Sequence, residues 1–170
     1  MTPSEKLQAV RFAQWLSAET GMQYSITDGP NPPDFLLQSN SHQTWLEVTD
    51  IYLNNEQARF RNSLDVRTFS FDGSPDELAL RLLNQLNRKL SKNSYRPIFA
   101  KRGKGILLLT CEDFMFDDVN LARVEECLEC LPSYFPMDNQ GFFNKAYFEY
   151  RLRGAGLTFY KLVYSDEKIE

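Results

Sequence analysis

The 170-residue sequence predicts an α/β protein with a mixed central sheet, formed by residues 1–170 as one domain. Two segments begin with capping boxes, at Thr2 and at Ser74, and continue with apolar residues at helical spacing. The purely apolar run from Ile106 to Leu109 is typical of a strand buried on both faces, and therefore of a central position in a sheet. Shorter β-branched and aromatic segments, bounded by Gly, Pro and Asn, supply the other strands.

The elements are predicted in the order αβββαβ, followed by a C-terminal helix and a β-hairpin. The first helix covers residues 2–20 and stops at Gly21. The second helix runs from residue 74 to about residue 93, ahead of Pro97. The other predicted elements are a strand at 23–27, a hairpin at 33–49, a long loop at 54–73, a strand at 105–110, a helix at 117–131, and strands at 147–152 and 157–164 joined by Gly154-Ala155-Gly156.

The hairpin at 33–49 carries two acidic residues in register. A tight turn at Asn40-Ser41 sets Asp34 opposite Glu47, with Cβ atoms about 5 Å apart on one face. Like charges that face each other across a ladder are destabilising, so the pair needs a compensating cation. Mg²⁺ is the usual cation of oxygen-only sites and is held by one or two carboxylates. A register slipped by one residue, which sends one acid to solvent, is the structural alternative.

The charges of the chain are unevenly distributed. The net charge is −4, yet between Glu77 and Glu112 there is no acidic residue and there are eight basic ones. A basic band on an acidic protein predicts a surface that binds a polyanion, with a solvated helix face and loop as the alternative. The candidate nucleic-acid-binding residues of this band are Arg88, Lys92, Arg96, Lys101, Arg102 and Lys104.

Other kinds of site have little support in the sequence. Three cysteines predict no disulfide framework, and the single CxxC motif at Cys127 and Cys130 supplies only half of a zinc site. His42 is the only histidine, which excludes a His-rich metal site. Because no apolar run approaches the length of a membrane span and the N-terminus lacks a signal-peptide segment, we expect a cytoplasmic protein without a membrane partner.

The element order and the acidic hairpin resemble the PD-(D/E)xK nuclease superfamily over roughly residues 5–110. The residues that carry the resemblance are Asp34, which follows a proline on the second strand, and Glu47-Val48-Thr49 on the third. The resemblance implies a restriction-endonuclease-like αβββαβ core with a mixed central sheet, to which the C-terminal helix and hairpin are added. It also implies that Asp34, Glu47 and the backbone carbonyl of Val48 hold Mg²⁺, for which Mn²⁺ is expected to substitute.

The chain departs from the family motif at Thr49, where the family has a lysine. Some branches of the superfamily carry this lysine on the following helix, and Lys89 is the candidate here. It lies two turns after Leu82, only about 20° away around the helix axis, at the edge of the stripe that faces the sheet. A lysine that extends from the core edge to water is the alternative. Glu5 matches the acid that the family often places on the first helix, and it is also the third residue of a capping box.

The resemblance therefore implies a magnesium-dependent nuclease that hydrolyses phosphodiester bonds, with DNA favoured over RNA as substrate. Its catalytic residues are expected to be Asp34, Glu47, Lys89 and Glu5. The alternative is a catalytically inactive nuclease-fold protein that binds nucleic acid or a protein partner, which Thr49 favours. A homodimer is compatible with either function.

Overall fold

A computed structural model describes residues 2–51, 75–130, 141–152, 154 and 157–167, with the backbone alone at 112–115. The predicted loop at 54–73, the Ser74 cap and residues 155 and 156 of the predicted hairpin turn lie outside these residues. None of the described helices is long and apolar enough to cross a membrane.

Six strands form one mixed sheet, whose spatial order follows the chain. The strands are β1 (Ser25–Asp28), β2 (Phe35–Gln38), β3 (Gln43–Asp50), β4 (Gly105–Phe116), β5 (Phe143–Leu152) and β6 (Thr158–Ser165). The pairs β1–β2, β2–β3 and β5–β6 are antiparallel, whereas β3, β4 and β5 are parallel to one another. The predicted α/β class, the mixed sheet and the central position of the apolar strand, now β4, are confirmed.

The described residues contain four α-helices. They are α1 (Pro3–Thr20), α2 (Pro75–Leu90), α3 (Arg96–Arg102) and α4 (Asp118–Cys130), with a 3₁₀ turn at Asn93–Tyr95 before α3. The capping box of α1 is confirmed: the Thr2 hydroxyl accepts from the Glu5 N–H, and the Glu5 carboxylate accepts from the Thr2 N–H. Gly21 ends α1 with φ of 70°, a left-handed conformation that favours glycine.

Several parts of the fold differ from the sequence prediction. Strand β4 ends at Phe116 rather than at residue 110, and β5 begins at Phe143 rather than at residue 147. Helix α2 ends at Leu90 rather than near residue 93, and Pro97 lies in the first turn of α3, an element that we did not predict. Proline fits there because the first turn of a helix leaves its N–H groups unpaired in any case. The C-terminal hairpin, whose position the sequence prediction left open, extends the central sheet, because β5 pairs directly with β4.

The two faces of the sheet carry separate hydrophobic clusters. On one face, Leu46 and Val48 of β3 pack with Phe12 of α1. On the other face, Trp45 of β3 packs with Leu82 and the other buried leucines of α2. Because side chains alternate along a strand, Glu47 and Thr49 share the face of Trp45 and point toward α2.

Candidate active site

The β2–β3 hairpin has the register that the sequence predicts. Leu37 lies opposite Thr44, and beyond the strand ends the Ser39 N–H donates to the His42 carbonyl over 2.8 Å. One residue before β2, this register sets Asp34 opposite Glu47. Only 9% of Asp34 and 5% of Glu47 is exposed, and both line the same cleft.

A tight turn and a strand contact hold Asp34 in place. The Gly29 N–H donates to the Asp34 carbonyl over 2.7 Å. A Cβ at position 29 would come within 2.2 Å of the Pro33 carbonyl oxygen, so this turn requires glycine. Within the site, the Val48 N–H donates to Oδ2 of Asp34 over 3.0 Å. The backbone of Val48, whose carbonyl the resemblance makes a metal ligand, thus contacts one of the two acids through its amide.

The two oxygens of Glu47 have different surroundings. Oε1 accepts hydrogen bonds from the Lys89 ammonium at 2.9 Å and from the Tyr95 hydroxyl at 2.8 Å. Oε2 is buried and has no hydrogen-bond partner among the described residues. Lys89 is itself only 8% exposed, so its ammonium extends from the helix edge to the sheet instead of to water. The predicted place of Lys89 at the edge of the stripe that faces the sheet is confirmed, and the alternative, a lysine that extends to water, is not observed.

Burial and neighbouring charge perturb the ionisation of the site. Desolvation, followed by repulsion from Glu47, raises the pKa of Asp34 to about 6. The hydrogen bond from Val48 opposes this shift. Desolvation, followed by the adjacent Glu47, also raises the pKa of Tyr95 well above its ordinary value, so the phenol acts as a neutral donor.

Thr49 is buried beside the acids and has a polar partner of its own. Its hydroxyl oxygen accepts from the Gln85 side-chain amide over 2.8 Å. Gln85 and Lys89 are four residues apart on α2, so they project from the same helix face toward Thr49 and Glu47 respectively. The position at which the resemblance places a lysine is therefore occupied by a neutral Thr49–Gln85 pair, and the nearby positive charge comes from Lys89 of α2.

The cleft around these residues has a volume of about 750 Å³. Four acids line it: Glu5, Asp34, Glu47 and Asp50. The capping role of Glu5 is confirmed, and Glu5 also lines the cleft, where its catalytic role stays a prediction. Exposed polar side chains of α2 and of the residues after it also line the cleft, namely Arg81, Asn84, Arg88 and Lys92.

The predicted basic band divides into two parts. Arg88 and Lys92 line the cleft, whereas Arg96, Lys101, Arg102 and Lys104 do not. Arg102 donates to the Gln43 side chain over 3.1 Å, and Lys104 forms an ion pair with Asp166. Gln43 begins β3, four residues before Glu47, which corresponds to about 13 Å along the strand. Arg102 and Lys104 are therefore at the other end of the sheet from the acids.

Several cleft residues were not among the predicted site residues. Arg81 and Asn84 precede Arg88 by seven and four positions, a helical spacing visible in the sequence. Asp50 ends β3, where its Oδ1 accepts from the Gln8 side-chain amide over 3.1 Å. Tyr95, which contacts Glu47 without lining the cleft, had no signal in the sequence, because its approach to Glu47 depends on the turn after α2.

The donor set fits a hard divalent cation. Glu47 presents an unpartnered, buried oxygen, and Oδ1 of Asp34 accepts no hydrogen bond from the described residues. Carboxylate oxygens are the ligands that Mg²⁺ prefers, and one or two of them are usual. Among the described residues, no group of three or more His, Cys, Asp or Glu side chains is placed to hold a metal. A cation here would thus rely on Asp34 and Glu47.

Comparison of the chain with protein-family models, with curated proteins and with solved structures finds no match.

Proposed function

We propose that this chain is a magnesium-dependent nuclease of the PD-(D/E)xK type that hydrolyses phosphodiester bonds in DNA. The proposal rests on the difference in hydrogen bonding between the two carboxylate oxygens of Glu47. One of its oxygens is saturated by Lys89 and Tyr95, while the other is buried without a partner in a cleft that also contains Asp34. A buried, unpaired carboxylate oxygen is costly, and a bound cation removes that cost.

The element order supports the same family. From α1 to β4 the chain follows αβββαβ, with the short helix α3 as an insertion before β4. Asp34 and Glu47 come from adjacent strands of a hairpin, and Lys89 comes from the helix that covers the same face. This arrangement is what the resemblance implies for a member whose lysine has moved from the position of Thr49 to the following helix.

Asp34 and Glu47 would hold Mg²⁺ or Mn²⁺. When bound, such an ion lowers the pKa of a coordinated water and neutralises charge on the scissile phosphate. Lys89 holds a positive charge at Glu47 Oε1, next to the reacting centre, where it offsets negative charge that develops on the phosphate. The Thr49–Gln85 pair supplies a hydroxyl and an amide at the position of the family's lysine, with no charge.

The basic wall of the cleft supports a polyanionic substrate. Arg81 and Arg88 lie seven residues apart on α2, about 10 Å along the helix axis. This span corresponds to about three nucleotide steps of a B-DNA strand. A strand that follows α2 therefore meets cations on both sides of Asn84, in the same cleft that the four acids line. Lys92 continues the same wall beyond the end of the helix.

Relocating the lysine tests the proposal. The assay is the nicking of supercoiled DNA at pH 8 with Mg²⁺ or Mn²⁺. The wild type should cut, and Asp34→Asn and Lys89→Ala should not. Adding Thr49→Lys to Lys89→Ala returns an ammonium to the family position and should restore part of the activity. Lys161→Ala, which removes a lysine of β6 outside both the cleft and the basic band, is the matched control and should cut as the wild type does.

The alternative function is binding without cleavage. It is favoured by Thr49 and by the Glu47–Lys89 ion pair, which compensates the charge of Glu47 without a metal. A wild type that binds DNA but never nicks it, even with Mn²⁺, would establish this alternative. Cleavage by Lys89→Ala at the wild-type rate would show instead that Lys89 is not the catalytic lysine.

A further inference from the structure

We infer that Tyr95 is a positioning residue of this site, which reserves Oε1 of Glu47 for protein donors and leaves Oε2 as its metal ligand. The inference rests on the proposed function, because it concerns the same cation. The resemblance implies neither a role for Tyr95 nor the choice of Oε2 as the ligand atom of Glu47. Tyr95 follows α2 in the 3₁₀ turn and is fully buried.

Aromatic packing fixes the ring of Tyr95. It stacks on Trp45, with ring centroids 5.6 Å apart and an interplanar angle of 29°. Phe143 contacts it edge to face at 5.0 Å, and the Lys92 ammonium lies 5.7 Å from the centre of the ring. Because these neighbours come from three parts of the chain, the hydroxyl has little freedom to move relative to Glu47.

The two donors on Oε1 have different consequences for the carboxylate. The Lys89 ammonium sits on a flexible four-carbon stem and can follow a rotating carboxylate. The Tyr95 hydroxyl cannot follow it, so the 2.8 Å bond defines the orientation of the group. Two donors also occupy both acceptor positions of one oxygen. A cation is then left with Oε2, which is buried and unpartnered.

A phenol suits this role because it is neutral. A second ammonium would compete with the cation for Glu47 and would repel it. The hydroxyl instead donates to the charged carboxylate without adding positive charge to the site. Residues that orient a metal ligand in this way are worth about 10- to 100-fold in metal affinity.

Tyr95→Phe removes the hydroxyl and keeps the ring. Calorimetric titration of Mn²⁺ at pH 8 should show binding at least about 10-fold weaker than in the wild type. The matched control is Tyr160→Phe. Tyr160 donates to Glu149 over 2.8 Å beside Arg11, so the control removes the same phenol–carboxylate bond from a glutamate outside the cleft. This control should keep the wild-type affinity for Mn²⁺.

A second variant distinguishes the loss of the hydroxyl from a change in the fold. Replacing Tyr95 with 3-fluorotyrosine retains both the ring shape and the donor, and this protein should bind Mn²⁺ as the wild type does. Equal affinity of Tyr95→Phe and the wild type would overturn the inference, as would a 3-fluorotyrosine protein as weak as Tyr95→Phe. A wild type that binds no Mn²⁺ would overturn the metal-dependent function itself, a result distinct from either of these.

Discussion

Replacing Lys89 by methionine removes a charge from a buried ion pair while keeping an unbranched side chain of similar length. Among the residues that the structure describes, Glu47 would retain the Tyr95 hydroxyl as its only donor, at a position where 5% of the residue is exposed. Breaking a buried ion pair by removing one partner costs about 3–5 kcal/mol. We therefore expect the free energy of unfolding of Lys89→Met, measured by urea denaturation without metal, to fall by about that amount.

The double variant Lys89→Met/Glu47→Leu should recover most of this loss. Replacing both partners of a buried pair by apolar groups is neutral or stabilising by about 1–4 kcal/mol. The Tyr95 hydroxyl then lacks its acceptor, which costs about 1–3 kcal/mol. The two effects largely cancel, so the double variant should be close to the wild type. The single variant Glu47→Leu, which leaves the Lys89 ammonium buried without its partner, should also lose about 3–5 kcal/mol. The pair would then have a coupling energy of several kcal/mol.

An exposed ion pair provides the control for this cycle. Lys6 and Asp28 are 3.2 Å apart, and more than half of each side chain is exposed. Lys6→Met should change the free energy of unfolding by less than about 1 kcal/mol. The Glu47–Lys89 pair would not behave as a buried ion pair if Lys89→Met cost as little as this control, or if the effects of the two single variants simply added in the double variant.

Three further predictions follow from the site and its supports. The pKa of Asp34 rises from 3.8 to about 6, so the folded state holds a proton that the unfolded state releases. Stability should therefore fall as the pH rises from about 4 through 6. In urea titrations without metal, Asp34→Asn should have a higher free energy of unfolding than the wild type at pH 8 and an equal one below pH 4. A difference in this free energy that does not depend on pH would contradict the prediction. Gly105→Ala should lose about 1–3 kcal/mol of unfolding free energy, because its Cβ would lie 2.3 Å from the Trp45 ring; unchanged thermal unfolding would refute the close approach. The logarithm of the DNA-binding constant, measured by fluorescence anisotropy, falls with the logarithm of the salt concentration. Arg88→Ala should make this slope shallower by about one counterion, whereas Arg102→Ala should leave it unchanged. Equal slopes for the two variants would mean that DNA does not bind at Arg88.

The parts of the site that the sequence predicted depend on local geometry. The Asn40-Ser41 turn and the alternation of side chains determine the register that sets Asp34 opposite Glu47. The orientation of Lys89 followed from its angular distance to the leucine stripe of α2. Both inferences use only residues that are close in sequence, where strand and helix periods are reliable.

The remaining features depend on contacts that are distant in sequence. Tyr95 reaches Glu47 because its ring packs on Trp45, fifty residues earlier, and on Phe143, near the C-terminus. Strand β5 pairs with β4 in parallel. Because parallel strands are not joined by a tight turn, no turn motif in the sequence predicts this pairing. Pro97 predicted a break in helical structure, but it lies in the first turn of α3.

Trp45 gives the site an intrinsic optical reporter. It precedes Glu47 by two residues on the same face of β3, and its indole stacks on the ring whose hydroxyl contacts that glutamate. The only other tryptophan in the chain, Trp15, packs against Tyr160 in the cluster on the opposite face of the sheet. In a Trp15→Phe background, the emission of a single indole would therefore follow events at the acids, so that occupancy of the cleft could be read in real time without an attached dye.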